Sequence, residues 1–129
     1  MDYEILELTN LKQAEEEIAK INCNPIGARI MAFKTINLSL KLKAVEPKTA
    51  NLIKQEMLSR GGDVAVSRKV GAFSKENTDI IVIGNLAQFV RLVRKMNHQT
   101  AFDCKKITEK INQILLKEFN IDVQNVEVW

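Results

Sequence analysis

The stretch Pro47-Lys48-Thr49-Ala50-Asn51-Leu52-Ile53-Lys54-Gln55-Glu56-Met57-Leu58-Ser59-Arg60-Gly61-Gly62-Asp63-Val64-Ala65-Val66-Ser67-Arg68 decides the fold, together with Thr78-Asp79-Ile80-Ile81-Val82-Ile83-Gly84 beyond a polar loop. Pro47 suits a first helical position, where its missing N–H is not needed. Ala50, Ile53 and Met57 recur at helical spacing and predict an inward stripe, with Lys54 off it. Gly61 and Gly62 predict the helix stop, since one of them can take the left-handed conformation that other residues resist. Val64 and Val66 alternate with polar neighbours, as in a strand. The run Ile80–Ile83 does not alternate, which predicts a central strand with both faces covered.

The flanking segments extend this pattern. Ile36, Leu38, Leu40 and Leu42 alternate with Asn37, Ser39 and Lys41, so residues 35–42 read as a strand with one face toward the core. Asn85 is a good cap for a helix whose stripe is Leu86, Phe89, Val90, Val93 and Met96. Asp103 reads as the cap of a last helix carrying Cys104, Ile107, Ile111, Ile114, Leu115 and Phe119 on one face, and Asn120 as its stop. Val123–Trp129 reads as a terminal strand. Toward the start, Tyr3–Leu8 reads as a short strand, and Asn10 with Gln13 forms a capping-box pattern for a helix over 11–21. Asn22-Cys23-Asn24-Pro25 reads as a helix stop and turn. Gly27–Phe33 is apolar without a period and stays open between helix and strand. The expected fold is α+β: a ferredoxin-like, split β-α-β arrangement with an antiparallel or mixed sheet and helices on one face. Residues 1–129 read as a single domain.

Composition narrows the function. A hydrophobic share of 46% and a charged share of 27% suit an ordinary soluble protein, and no apolar run is long enough to span a membrane. The acidic residues near the start are unlike a secretory signal. Cys23 and Cys104 form no metal-ligand spacing and read as buried free thiols of a reducing compartment, so a cytoplasmic location is expected. Neither a metal nor a cofactor is expected. The net charge of +3 conceals a basic middle between acidic ends. Such a middle suits an acidic protein surface or an anionic metabolite. Phe73 is a single aromatic among basic residues, which points away from nucleic acid, since stacking platforms present several.

Chemistry-bearing constellations are sparse. His98 lies alone in a polar loop, and phosphate-loop and dinucleotide fingerprints are absent. The candidate ligand site is Gly61, Gly62 and Asp63 with Ser67, Arg68 and Lys69. Glycines allow close backbone approach, and a guanidinium can grip a carboxylate or phosphate with two parallel hydrogen bonds.

The residues from Ala50 to Val66 carry a family resemblance, the Lys54–Asp63 segment most specifically. They resemble the amino-terminal extension of long-form bacterial and archaeal dihydropteroate synthases. The similarity runs from Gly27-Ala28-Arg29-Ile30-Met31-Ala32-Phe33-Lys34 through Thr78–Gly84 to the helix around Ile107–Leu116. In that family the extension precedes a catalytic (β/α)8 barrel, which needs about 250 residues. The barrel's Asn-Val-Thr-Pro-Asp-Ser-Phe, Asp-x-Gly-Gly and Ser-Thr-Arg-Pro type segments do not occur among these 129 residues. The resemblance therefore implies a non-catalytic accessory or interaction domain of folate and pterin metabolism, docking on a pterin-binding barrel protein or pairing as a homo-oligomer. The alternative is an independent binding module for an anionic small metabolite. The strand-like ending reads as self-contained, so a complete product is expected rather than a fragment. The purified chain is expected to show no condensation of pterin pyrophosphate with p-aminobenzoate, and a turnover assay checks this.

Overall fold

A computed structural model describes residues 1–72, 74–99 and 103–129. The elements are α1 (Leu11–Ala19), α2 (Pro25–Thr35), β1 (Asn37–Val45), α3 (Pro47–Ser59), β2 (Asp63–Ala65), α4 (Arg68–Gly71), β3 (Thr78–Asn85), α5 (Leu86–Met96) and α6 (Cys104–Phe119). The three strands form one antiparallel sheet in the order β1-β3-β2. Since β3 runs against both neighbours, β1 and β2 point the same way and α3 is the crossover between them. This is the split β-α-β unit, and the fold is α+β.

One side of the sheet carries the core. Leu42, Ile80, Val82 and Val64 are buried against Ile53 and Met57 of α3 and Phe89 and Val93 of α5. Burial of such side chains is the main stabilising contribution, at about 25 cal/mol per Å² of apolar surface removed from water. Helix α6 packs on α5, and the α1–α2 pair packs beside α5 through α2.

The junction after α3 is fixed by its glycines. Gly61 has φ +87°, and the N–H groups of Gly62 and Gly61 donate to the carbonyls of Met57 (2.8 Å) and Leu58 (3.2 Å). That pattern satisfies two carbonyls left over at the helix end. Gly62 is constrained by space: a Cβ there would lie 2.7 Å from the Ile83 carbonyl oxygen and 2.8 Å from the Met57 Cε. At the start of α5, Asn85 Oδ1 accepts from the Gln88 N–H and Gln88 Oε1 accepts from the Asn85 N–H, each at 2.8 Å. The Gln88 amide also donates to the Arg60 carbonyl (2.8 Å), tying the end of α3 to the start of α5.

Several expectations need correction. Residues 1–9 form no strand, since in a single copy they lie along no sheet edge and a lone strand leaves its backbone groups unpaired. Asn24-Pro25 starts a helix rather than ending one: Asn24 Oδ1 accepts from the Ile26 N–H (2.9 Å), and Gly27–Phe33 belongs to α2. The turn before it is made by Asn22 at φ 65°. Strand β3 is central as expected, but only one of its faces is covered, and Ile81 and Ile83 are 37% and 43% exposed. Asp103 sits at the start of α6 without capping it; its Oδ2 accepts from the Glu46 N–H (3.1 Å), joining the starts of α3 and α6. Val123–Trp129 is not a strand. Arg94 Nε donates to the Val123 carbonyl (3.0 Å) and its Nη2 to that of Val126, so the guanidinium draws this segment onto α5. Cys104 is buried, whereas Cys23 is only half-buried; both thiols are free.

Lys54, off the core stripe as predicted, folds over β2 and donates to Asp63 Oδ1 (3.0 Å) and the Val64 carbonyl (2.8 Å). Met57→Ala is expected to cost about 2–5 kcal/mol by opening a cavity, Gly61→Val about 1–2 kcal/mol from left-handed backbone strain, and Lys54→Ala about 0.5–1.5 kcal/mol from the loss of its two partly exposed hydrogen bonds. Urea unfolding of the three variants checks this ranking.

Candidate functional site

The six residues predicted to bind a ligand occupy two places. Gly61 and Gly62 join α3 to β2, and both have the structural reasons given above. Asp63 opens β2 with Oδ1 already accepting from Lys54 and from the Val64 N–H (2.7 Å). The Lys54 ammonium first, and that N–H second, hold its carboxyl below the usual carboxylate range. Ser67 caps the one-turn helix α4, its Oγ accepting from the Lys69 N–H (3.2 Å). Lys69 Nζ meets Glu76 Oε2 at 2.8 Å; this pairing raises the ammonium's pKa and lowers the carboxyl's. Arg68 is exposed on α4. Asp63 and Lys69 thus spend their charges on neighbours. Phe73, the aromatic weighed for nucleic-acid stacking, lies outside the described residues.

Beside α4 there is a cleft of about 630 Å³ at the opposite end of α3. Pro47, Lys48 and Asn51 form one wall, and Val70, Ser74 and Lys75 the other. The sequence alone reads the residues after Arg68 as a polar loop, where the structure has the one-turn helix α4, and it misses the wall from α3, because no periodicity reports which helix start a distant loop lies against. Among the described residues no group of His, Cys, Asp and Glu is placed to hold a metal ion, and no helix is long and apolar enough to cross a membrane.

Among the described residues the sheet face opposite the helices is exposed. Strand pleating sends alternate residues to this side. Cross-strand register aligns Ser39, Ile83 and Asp63 in one row and Lys41, Ile81 and Ala65 in the next. Two isoleucines therefore sit at the centre, flanked by small or short side chains with a cation and an anion at opposite corners. The sequence signal for it was the unbroken apolar run Ile80–Ile83, here half buried and half presented to solvent.

With this geometry in hand, similarity to known proteins is informative. No family model and no solved structure matches the chain. Over 93 residues it is 29% identical to a protein of Halobacterium salinarum named probable bifunctional folylpolyglutamate synthase/dihydropteroate synthase. The match covers 72% of this chain and 11% of that protein, so the chain spans a small part of the length of its curated relative. The chain is thus related in sequence to a segment of a folate-related enzyme.

The Asp63–Lys54 pair sets a pH dependence. A carboxyl whose folded pKa lies below its unfolded value contributes stability that is present above the unfolded pKa, about 3.9, and lost as pH falls through the folded one. Asp63→Asn should therefore lower stability at pH 7. The gap from the parent chain should close as pH drops below about 4, as read by urea unfolding at both pH values.

Proposed function

We propose that the chain is a non-catalytic interaction module of folate and pterin metabolism. It docks by its open sheet face on a pterin-binding barrel of the dihydropteroate synthase type. The single observation that carries this reading is the exposed Ile81–Ile83 centre of a sheet covered on one side only. Apolar side chains gathered on one flat face are a feature of protein contact sites, whereas scattered ones are ordinary. The relative's name supplies the class of partner, and most of that protein's length lies outside the matched segment, which leaves ample chain for a barrel.

The basic middle of the chain suits the same role. Complementary charge speeds encounter and fixes orientation, while the apolar centre supplies the contact energy. The mechanism is one of positioning: a rigid sheet holds two isoleucines at fixed spacing, and Lys41 and Asp63 at the corners set the orientation of the partner.

Tagged chain is expected to capture a barrel-type dihydropteroate synthase from the extract of its host. Ile81→Thr with Ile83→Thr should abolish capture with little loss of melting temperature, because both side chains are partly exposed and threonine keeps a β-branched residue in the strand. Equal capture by the variant would sink the sheet-face reading. If no barrel protein is captured and the chain instead binds inorganic pyrophosphate, the anionic-metabolite alternative takes its place.

A further inference from the structure

The β1-β3-β2 sheet has two edges, and they are treated differently. At β2 the edge is three residues long, and Lys54 covers its Val64 carbonyl. The β1 edge runs for nine residues, and among the described residues β1 pairs only with β3. In a β-α-β-β-α-β fold this edge receives the fourth strand. The segment expected to supply it, Val123–Trp129, is held on α5 by Arg94. The fourth-strand position is therefore vacant.

A groove of about 500 Å³ lies along this edge, between β1 and α6. Leu42 and Ile107 lie along it as apolar residues. Lys41, Lys43, Lys106 and Lys110 also line it, against a single acidic residue, Glu109. Among the described residues none of these four lysines is in an ion pair. Four cations with so little counter-charge repel one another, and an acidic segment would relieve that repulsion.

The same chain contains a segment of complementary character. Asp2-Tyr3-Glu4-Ile5-Leu6-Glu7-Leu8 carries three carboxylates and no cation. It forms neither helix nor strand, and Tyr3 and Ile5 are 86% and 82% exposed. In an extended conformation Leu6 and Leu8 fall on one side and Tyr3 and Ile5 on the other. Lengths match as well. The regular part of β1 ends where its register with β3 shifts after Leu42 and Ala44 turns to φ 56°. That leaves Asn37–Leu42, six residues or about 20 Å, against the six of Tyr3–Leu8.

We infer that residues Tyr3–Leu8 of one copy add as a fourth strand to the β1 edge of a second copy, and that the exchange is reciprocal in a two-fold dimer. Main-chain hydrogen bonds to the unpaired edge supply the contact, and the pockets for alternate side chains with the lysine-lined groove set its direction and specificity. Leu6 and Leu8 enter the groove over Leu42 and Ile107. Glu4 meets the groove lysines, and Glu7, on the other side of the strand, meets Lys41 at the rim of the open face. Tyr3 and Ile5 lie on the open sheet face beside Ser39, enlarging its apolar centre. This inference does not rest on the barrel contact, and a dimer of this kind leaves Ile81 and Ile83 available.

The test uses the full chain. Light scattering is expected to show a dimer that weakens as salt is raised, since exposed charges are screened over a Debye length of about 8 Å at physiological ionic strength. Ile5→Pro removes a backbone donor from the added strand, and Lys41→Glu reverses a groove charge. Each should raise the dimer dissociation constant by at least about ten-fold while leaving the far-UV circular dichroism spectrum unchanged, because both positions are exposed. A Cys23→Ser chain bearing Ile5→Cys, mixed with a differently tagged Cys23→Ser chain bearing Ser39→Cys, should form the mixed disulfide on oxidation. A strict monomer overturns the proposal, as does a dimer indifferent to both substitutions. So does a doubly substituted Ile5→Cys/Ser39→Cys chain that closes within one copy.

Discussion

The rest of the structure depends on the contact between Met57 and two glycines. The Met57 Cε lies 2.8 Å from where a Cβ would stand on Gly62 and 2.6 Å from where one would stand on Gly84. A flexible thioether fills the space both residues leave empty. Helix α3 can therefore lie close to β3, and the crossover from β1 returns to the sheet at β2 without a gap. Gly61 makes the sharp exit from α3 that this closeness requires, and Gln88 secures it by binding the Arg60 carbonyl. Sheet order, the position of α5 and the shape of the core all follow from that helix–sheet distance.

With the helices packed on one side, the other side is left to solvent. The same pleat that buries Ile80 and Val82 presents Ile81 and Ile83. An exposed sheet with an unprotected edge invites pairing, and proteins usually blunt such edges with charge, bulges or short strands. At β2 this chain uses a three-residue strand and Lys54. At β1 it has a register shift at the far end, with Lys41 and Lys43 on the strand and Lys106 and Lys110 of α6 beside them. Those lysines repel a basic strand and attract an acidic one. The face and the edge offer two different contacts, one apolar and flat, the other main-chain and electrostatic.

The polar contacts that join distant parts of the chain lie mostly at element ends. Asp103 receives the Glu46 N–H, and Cys104 Sγ lies 3.6 Å from Thr49 Oγ1, so the first turns of α3 and α6 are held together. Arg94 binds two carbonyls of the closing segment. Each of these satisfies backbone or buried polar groups that would otherwise cost about 1–3 kcal/mol unpaired. They also decide where the chain's ends lie, and hence which sheet edge stays open.

The local sequence determined the helix from Pro47 to its glycine stop, the alternating strand before it, the Asn85-capped helix and the central place of β3. These follow from periodicity, capping chemistry and turn residues, all of which act over a few positions. The α+β class and the split β-α-β order followed from placing those elements in sequence. Only the tertiary structure decided the rest. Asn24-Pro25 is as good a helix start as it is a stop, and the choice fell to the packing of α2 on α5. Tyr3–Leu8 and Val123–Trp129 both have strand-like composition, yet a strand exists only where an edge accepts it. Arg94 captured the second segment, and no edge in the same copy took the first. Ile80–Ile83 looks buried on both sides because hydrophobicity alone does not report a missing layer. Of the predicted ligand residues, Asp63 paired with Lys54 and Lys69 with Glu76, charges whose nearness no spacing in the sequence encodes.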